Sequence, residues 1–190
     1  SLLTQSYRNF EVLIIGDGST DGTQAIVKKY MSNALPIRYL YHKNRGLPLS
    51  RNVGILASAG KFITFLDSDD EYLPNHLEIR KNIICESPDT DFIYGNVKVI
   101  GEPFVPDMND MSKLVHIDDC IVGGSFFIRK ELAISLNGFK NLEYADDSEF
   151  FARVVESNAN IFKSDARTYI YHREEQDSIT SNFTKNYEKK

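Results

Sequence analysis

Two short apolar runs, EVLII at 11–15 and KFITFL at 61–66, lack polar alternation beyond their first residue and stop abruptly at carboxylates. Asp17 follows the first; Asp67, Asp69, Asp70 and Glu71 follow the second. A strand with one wet face alternates apolar and polar side chains, so unbroken runs mark strands covered on both faces. Strands of that kind belong to largely parallel sheets sandwiched between helices, and ligands bind such sheets beyond the carboxyl ends of the strands. An α/β sandwich with a site among those acids is therefore the first expectation.

The rest of the chain fits alternating strands and helices. TDGTQAIVKKYMSN predicts a helix capped by Thr20 or Asp21, with Ile26, Val27 and Tyr30 at helical spacing. IRYLY at 37–41 reads as a strand, and PLSRNVGILASAG as a helix with Pro48 near its start and Gly60 past its end. A helix follows Pro74 (NHLEIRKNIICES), then one partly alternating strand, DFIYGNVKVIG, and a proline-bearing surface loop over 101–112. GGSFFIRKELAISLNGF predicts a strand, a helix and a glycine stop at Gly138. YADDSEFFARVVESNA is an amphipathic helix opened by Asp146 and Asp147, with Phe150, Phe151, Val154 and Val155 on its buried face; IFKS and RTYIYH are strands. The opening SLLTQSYRNF reads as a helix end and exit loop with no strand before it, so the first strand is expected to be missing.

A length of 190 residues suits one domain. A net charge of -5 argues against a nucleic-acid partner, and Cys85 and Cys120 show no metal or disulfide spacing. The absence of a long apolar run or leader points to the cytoplasm, with peripheral membrane contact still open.

Three chemistries compete for the first turn. Gly16, Gly18 and Gly22 make a loose dinucleotide loop, but the second strand ends in His42, Lys43 and Asn44 where that fold needs an acid for the ribose. Asp17, Ser19, Asp21 and Gly22 fit half of a calcium loop, yet its twelfth position is Lys28. Asp17 can instead accept hydrogen bonds from a base N–H or a ribose hydroxyl, beside the plainer reading in which Asp17 and Asp21 only cap a turn. The second cluster tips the balance, because four acids within residues 67–71 repel one another unless a cation neutralises them.

IIGDGSTDGT, then NRGLPLSRNVGILASAGKFITFLDSDDEYLP, then NGF and YADDSEFFARV resembles, in order and spacing, the family 2 glycosyltransferases from Leu2 to about Thr180. The resemblance implies a GT-A fold, a three-layer α/β/α sandwich, with residues 1–100 as nucleotide-binding half and 101–190 as acceptor half. It implies inverting, hexosyltransferase-like transfer from a nucleotide sugar, UDP favoured, to a glycan or lipid-linked acceptor in surface polysaccharide or glycolipid synthesis. Carried over by residue, Asp17 contacts the base and Arg51 lies near the nucleotide. Asp67 faces the ribose with Ser68 beside it, and Asp69 holds Mn2+ or Mg2+ as the end of a DxD motif. Asp147 is the catalytic base with Asp146 next to it, and His172 is a candidate for the metal or diphosphate. Gly16 departs from the family by replacing the first of two aspartates, and no QxxRW-like segment of processive synthases is present. A sugar nucleotidyltransferase and a degenerate, non-catalytic nucleotide-sugar binder are the alternatives.

Overall fold

The computed structural model describes residues 1–31 and 35–174. The first apolar run becomes β1 (Val12–Asp17), which leads through α1 (Thr23–Tyr30) to β2 (Ile37–His42). β1 and β2 pair in parallel, in a register that sets Asp17 opposite His42. α2 (Leu47–Ala57) returns over β1 with Pro48 in its first turn, where a missing N–H costs no helical bond.

The second run becomes β3 (Phe62–Thr64), and β4 (Glu71–Tyr72), α3 (His76–Glu86), β5 (Phe92–Gly95) and β6 (Lys98–Gly101) follow. β7 (Phe104–Pro106), β8 (Leu114–His116), β9 (Phe127–Arg129), α4 (Lys130–Ser135), α5 (Asp146–Glu156), β10 (Ile161–Ser164) and β11 (Tyr169–Arg173) complete the order. A four-stranded sheet runs β10-β5-β9-β3, and a three-stranded one runs β4-β11-β6. The pairs β5–β10 and β6–β11 are parallel, whereas β9 is antiparallel to both neighbours and β4 to β11. The architecture is thus a mixed α/β fold with partly parallel sheets.

Two apolar cores hold the layers. One gathers Ile55 of α2, Phe92 of β5, Ile128 of β9, Ala133 of α4 and Phe150 and Val154 of α5. The other gathers Tyr72, Leu77, Val105 and Tyr169 with Leu2, Tyr7 and Phe10 from the first residues. No helix among the described residues is long and apolar enough to cross a membrane.

Several local expectations change. The expected strand at 91–101 is two strands in different sheets: at Gly95 the chain lies so close to the Ser164 carbonyl that a Cβ would stand 2.2 Å from it. Residues 101–112 are not wholly a loop, because β7 and β8 form a hairpin whose turn is tied by Asp107 Oδ1 accepting from the N–H groups of Asn109 and Asp110. The N-cap of α1 is Gly22, with φ 47°, while Asp21 accepts from the N–H and hydroxyl of Thr23. Ile26 and Tyr30 of α1 are exposed and only Val27 is buried there. On α5, Val155 is 52% exposed, being five residues and so well over a quarter-turn from Phe150. Ser32 and Asn33 of the expected first helix, and 175–180 of the resemblance, lie outside the described residues.

Candidate active site

Where β3 leaves its sheet, the chain passes the buried Phe65 and turns at Asp67, whose carbonyl accepts from the Asp70 N–H at 3.2 Å. The turn splits the acidic cluster. Ser68 and Asp69 are exposed, Asp67 is half-buried, and Asp70 folds inward. Asp70 takes the Tyr169 hydroxyl on Oδ2 at 2.5 Å and the His172 N–H on Oδ1 at 2.8 Å. Burial raises Asp70 to about 6 although both bonds favour its ionised form.

Arg51 of α2 lies between this turn and the start of α5. Its Nη1 donates to Asp146 Oδ2 at 2.9 Å, and Nη2 donates to the two oxygens of Asp67 at 3.3 and 3.2 Å. The rings of Phe65 and Phe139 flank the guanidinium at 5.9 and 5.3 Å. Burial opposes its charge, but Asp67, Asp146 and Asp147 outweigh that and hold it protonated.

α5 begins at Asp146, after Ala145 in the left-handed region at φ 55°, a conformation that L side chains adopt under constraint. Asp147 Oδ2 accepts from the Gly123 N–H at 2.9 Å and Oδ1 from the Ser148 N–H at 2.8 Å. Burial pushes the Asp147 carboxyl above its ordinary range and Asp146 up to about 6, with Arg51 acting against both shifts. Asp146 is committed to a cation, whereas the hydrogen bonds to Asp147 among the described residues come from backbone N–H groups.

These groups line one cleft of about 620 Å3, with Arg51, Asp67, Ser68, Asp69, Asp146 and Asp147 in its wall. Folding therefore brings together six of the eight expected residues. Asp17 and His172 are not in that wall. Asp17 does not cap α1; its oxygens accept from the N–H groups of Arg45 at 2.7 Å and Gly46 at 2.9 Å, fixing the entry to α2. His172 Nε2 faces Glu71 Oε1 at 3.2 Å.

Among the described residues no three His, Cys, Asp or Glu side chains are grouped to hold a metal ion by themselves. Asp69, exposed in the cleft and without a hydrogen-bond partner among the described residues, fits a cation that draws most of its oxygens from a bound diphosphate and water. Sequence reasoning missed Tyr169, which braces Asp70, and the turn Gly123–Ser125, which braces Asp147. The Gly123–Gly124 pair was the available signal for the turn, since adjacent glycines mark close backbone approach. Tyr169 carried none.

Residues 1–138 match the Glycosyl transferase family 2 model, and the chain belongs to that family. It is 42% identical over 86 residues to the uncharacterized glycosyltransferase YibD of Escherichia coli, covering 45% of this chain and 25% of that one. It is 29% identical over 154 residues to glycosyltransferase GlyA of Streptococcus pneumoniae, covering 81% and 20%. The chain thus spans a quarter or less of either relative's length. Among solved structures, S. aureus TarS in complex with UDP-GlcNAc superposes with a TM-score of 0.79 at 26% identity, over 95% of this chain and 55% of that one. A mannosyltransferase from Pyrobaculum calidifontis, in complex with GDP-Man and Mn2+, gives 0.69 at 17% identity over 89% and 50%, which shows the shared GT-A fold.

Proposed function

We propose that this chain transfers a sugar from a nucleotide sugar to an acceptor hydroxyl with inversion, UDP being the favoured nucleotide. The observation that carries the reading is the cleft that joins Asp67 and Asp69 to Asp147. Support for the donor comes from family membership and from the likeness to TarS, which binds UDP-GlcNAc. The acceptor belongs to surface-glycan or lipid-linked precursors.

In this reading the acceptor oxygen bonds to the anomeric carbon on the face opposite the diphosphate, the carbon–oxygen bond to the diphosphate breaks, and Asp147 takes the hydroxyl proton. A carboxyl with raised proton affinity suits that role, because a base works best when its pKa lies near the operating pH. Arg51 holds Asp67 and Asp146 apart from the reacting proton. Asp67 lies toward the ribose with Ser68 beside it. Asp17 receives the base on Oδ2, which accepts the Gly46 N–H and has a further lone pair, while Oδ1 takes the Arg45 N–H and lies 3.2 Å from His42 Nδ1. Mg2+ or Mn2+ on Asp69, when bound, supplies Lewis-acid stabilisation of the leaving diphosphate.

Two variants test the assignment in turnover and calorimetric assays. Asp147→Asn is expected to bind UDP normally while turnover falls by about two to four orders of magnitude. Asp69→Ala is expected to abolish Mn2+-dependent UDP binding. Turnover at the normal rate in the first variant, or an unchanged titration in the second, removes the corresponding role.

A further inference from the structure

Among the described residues, the largest fully buried side chain is a guanidinium with no carboxylate beside it. Arg80 of α3 is 1% exposed. Its Nη1 donates to the His76 carbonyl at 3.3 Å and to Thr168 Oγ1 at 3.2 Å, and its Nη2 to the Ser125 carbonyl at 3.3 Å. Its Nε is buried with no hydrogen-bond partner among the described residues. Burial lowers Arg80 to about 10, so it stays charged at neutral pH, and the adjacent His76 is driven to about 2 and is neutral. An uncompensated buried cation opposes folding, and an apolar side chain of similar volume would fill the space more favourably. Packing alone gives no reason for an arginine here.

What the guanidinium holds gives one. The Ser125 carbonyl belongs to the three-residue turn Gly123–Ser125, whose own backbone bonds are few: Ser125 N–H to the Val122 carbonyl and Phe126 N–H to the Gly123 carbonyl. Two consecutive glycines make this backbone soft, yet a Cβ would crowd its neighbours at Gly123 and collide with them at Gly124. A Cβ on Gly123 would lie 3.1 Å from both Arg51 Nη1 and Asp147 Cβ, and one on Gly124 would lie 2.2 Å from the Tyr169 ring. The turn is wedged between the acid pair and Tyr169 and needs an anchor from below. Ser125 Oγ gives part of it, accepting from the Gly95 N–H at 3.4 Å and donating to the Val122 carbonyl at 2.7 Å.

We propose that Arg80 is a positioning residue for Asp147: by gripping the Ser125 carbonyl it fixes the turn whose Gly123 N–H orients the Asp147 carboxylate. The assignment rests on Asp147 being the base. Arg80 touches neither substrate nor reacting atoms and acts through a peptide two residues from Gly123.

The test compares Arg80→Met, which keeps length and removes the donors, with Arg80→Lys, which keeps the charge and fewer donors. For Arg80→Met we expect thermal stability at or above that of the parent chain and a kcat about tenfold lower. Donor KM should stay within about twofold, and exchange of the Gly123 amide, read by NMR, should become about tenfold faster. Arg80→Lys should fall between the two. A folded Arg80→Met with kcat and Gly123 exchange both unchanged overturns the proposal. If that variant does not fold, Arg80→Lys decides by the same two readings, and an unchanged pair again overturns it. If the parent chain transfers no sugar at all, the functional reading falls, while Gly123 exchange still shows whether Arg80 fixes the turn.

Discussion

At the level of single residues, the cleft is defined as much by missing side chains as by the acids. Gly124 has room for a hydrogen only, because the Tyr169 ring lies where a Cβ would go. Gly124→Ala is therefore expected to cost about 1–3 kcal/mol, the usual penalty for overpacking a rigid core, in urea denaturation followed by far-UV circular dichroism. The displaced ring would also let go of Asp70, so UDP affinity should drop with stability; a loss below about 0.5 kcal/mol would contradict the crowding. The acids themselves were legible in the sequence because Asp67 and Asp69 lie in the turn after β3 and Asp146 and Asp147 open α5, and ligands of α/β folds bind beyond the carboxyl ends of strands. Asp17 was legible as a strand-end carboxylate but not as an anchor for Arg45 and Gly46, since that bond depends on how a loop 28 residues away closes. Tyr169 could not be singled out because its role is set by Asp70 and Gly124, both distant in sequence.

The β7–β8 hairpin is the element that sequence patterning concealed. Its strands have three residues each, too few for alternation to register, and Pro106 reads as a strand breaker although it ends β7. The hairpin forms one wall of the cleft and is tied to the α5 entry by the Tyr144 hydroxyl, which donates to the Pro106 carbonyl at 2.8 Å. Tyr144→Phe removes that bond and keeps the ring. The loss should be about 1 kcal/mol, seen as an about fivefold faster hydrogen exchange in the hairpin while Phe150 and Val154 of α5 keep their protection. Equal acceleration in both places would mean that the bond stabilises the whole fold. The longer elements α2, α3 and α5 were legible because several turns of periodicity outweigh local noise. DFIYGNVKVIG misled because two short strands in different sheets share one apolar stretch.

Taken whole, the molecule keeps raised carboxyls in one place and lowered ones on its surface. Burial lifts Asp146 and Asp70 to about 6, above the value near 3.9 of an unfolded chain. Between those values the folded state binds more protons than the unfolded one, so their contribution is complete below about pH 4 and is lost as pH rises through about 6. Asp118 and Glu149, lowered by hydrogen bonds from Arg167 and Arg153, act in the opposite sense, their contribution being lost as the solution becomes more acid. Thermal midpoints should thus peak in mildly acid solution and decline toward neutrality, and Asp146→Asn should decline less between about pH 4.5 and 7 than the parent chain. Parallel curves would show that Asp146 does not titrate as its surroundings dictate. One buried cation, Arg51, answers to acids brought from positions 67 and 146. A change at either acid leaves the guanidinium to the other alone, so substitutions at these three positions are coupled in energy and the loss of one partner shifts the whole burden onto its counterpart.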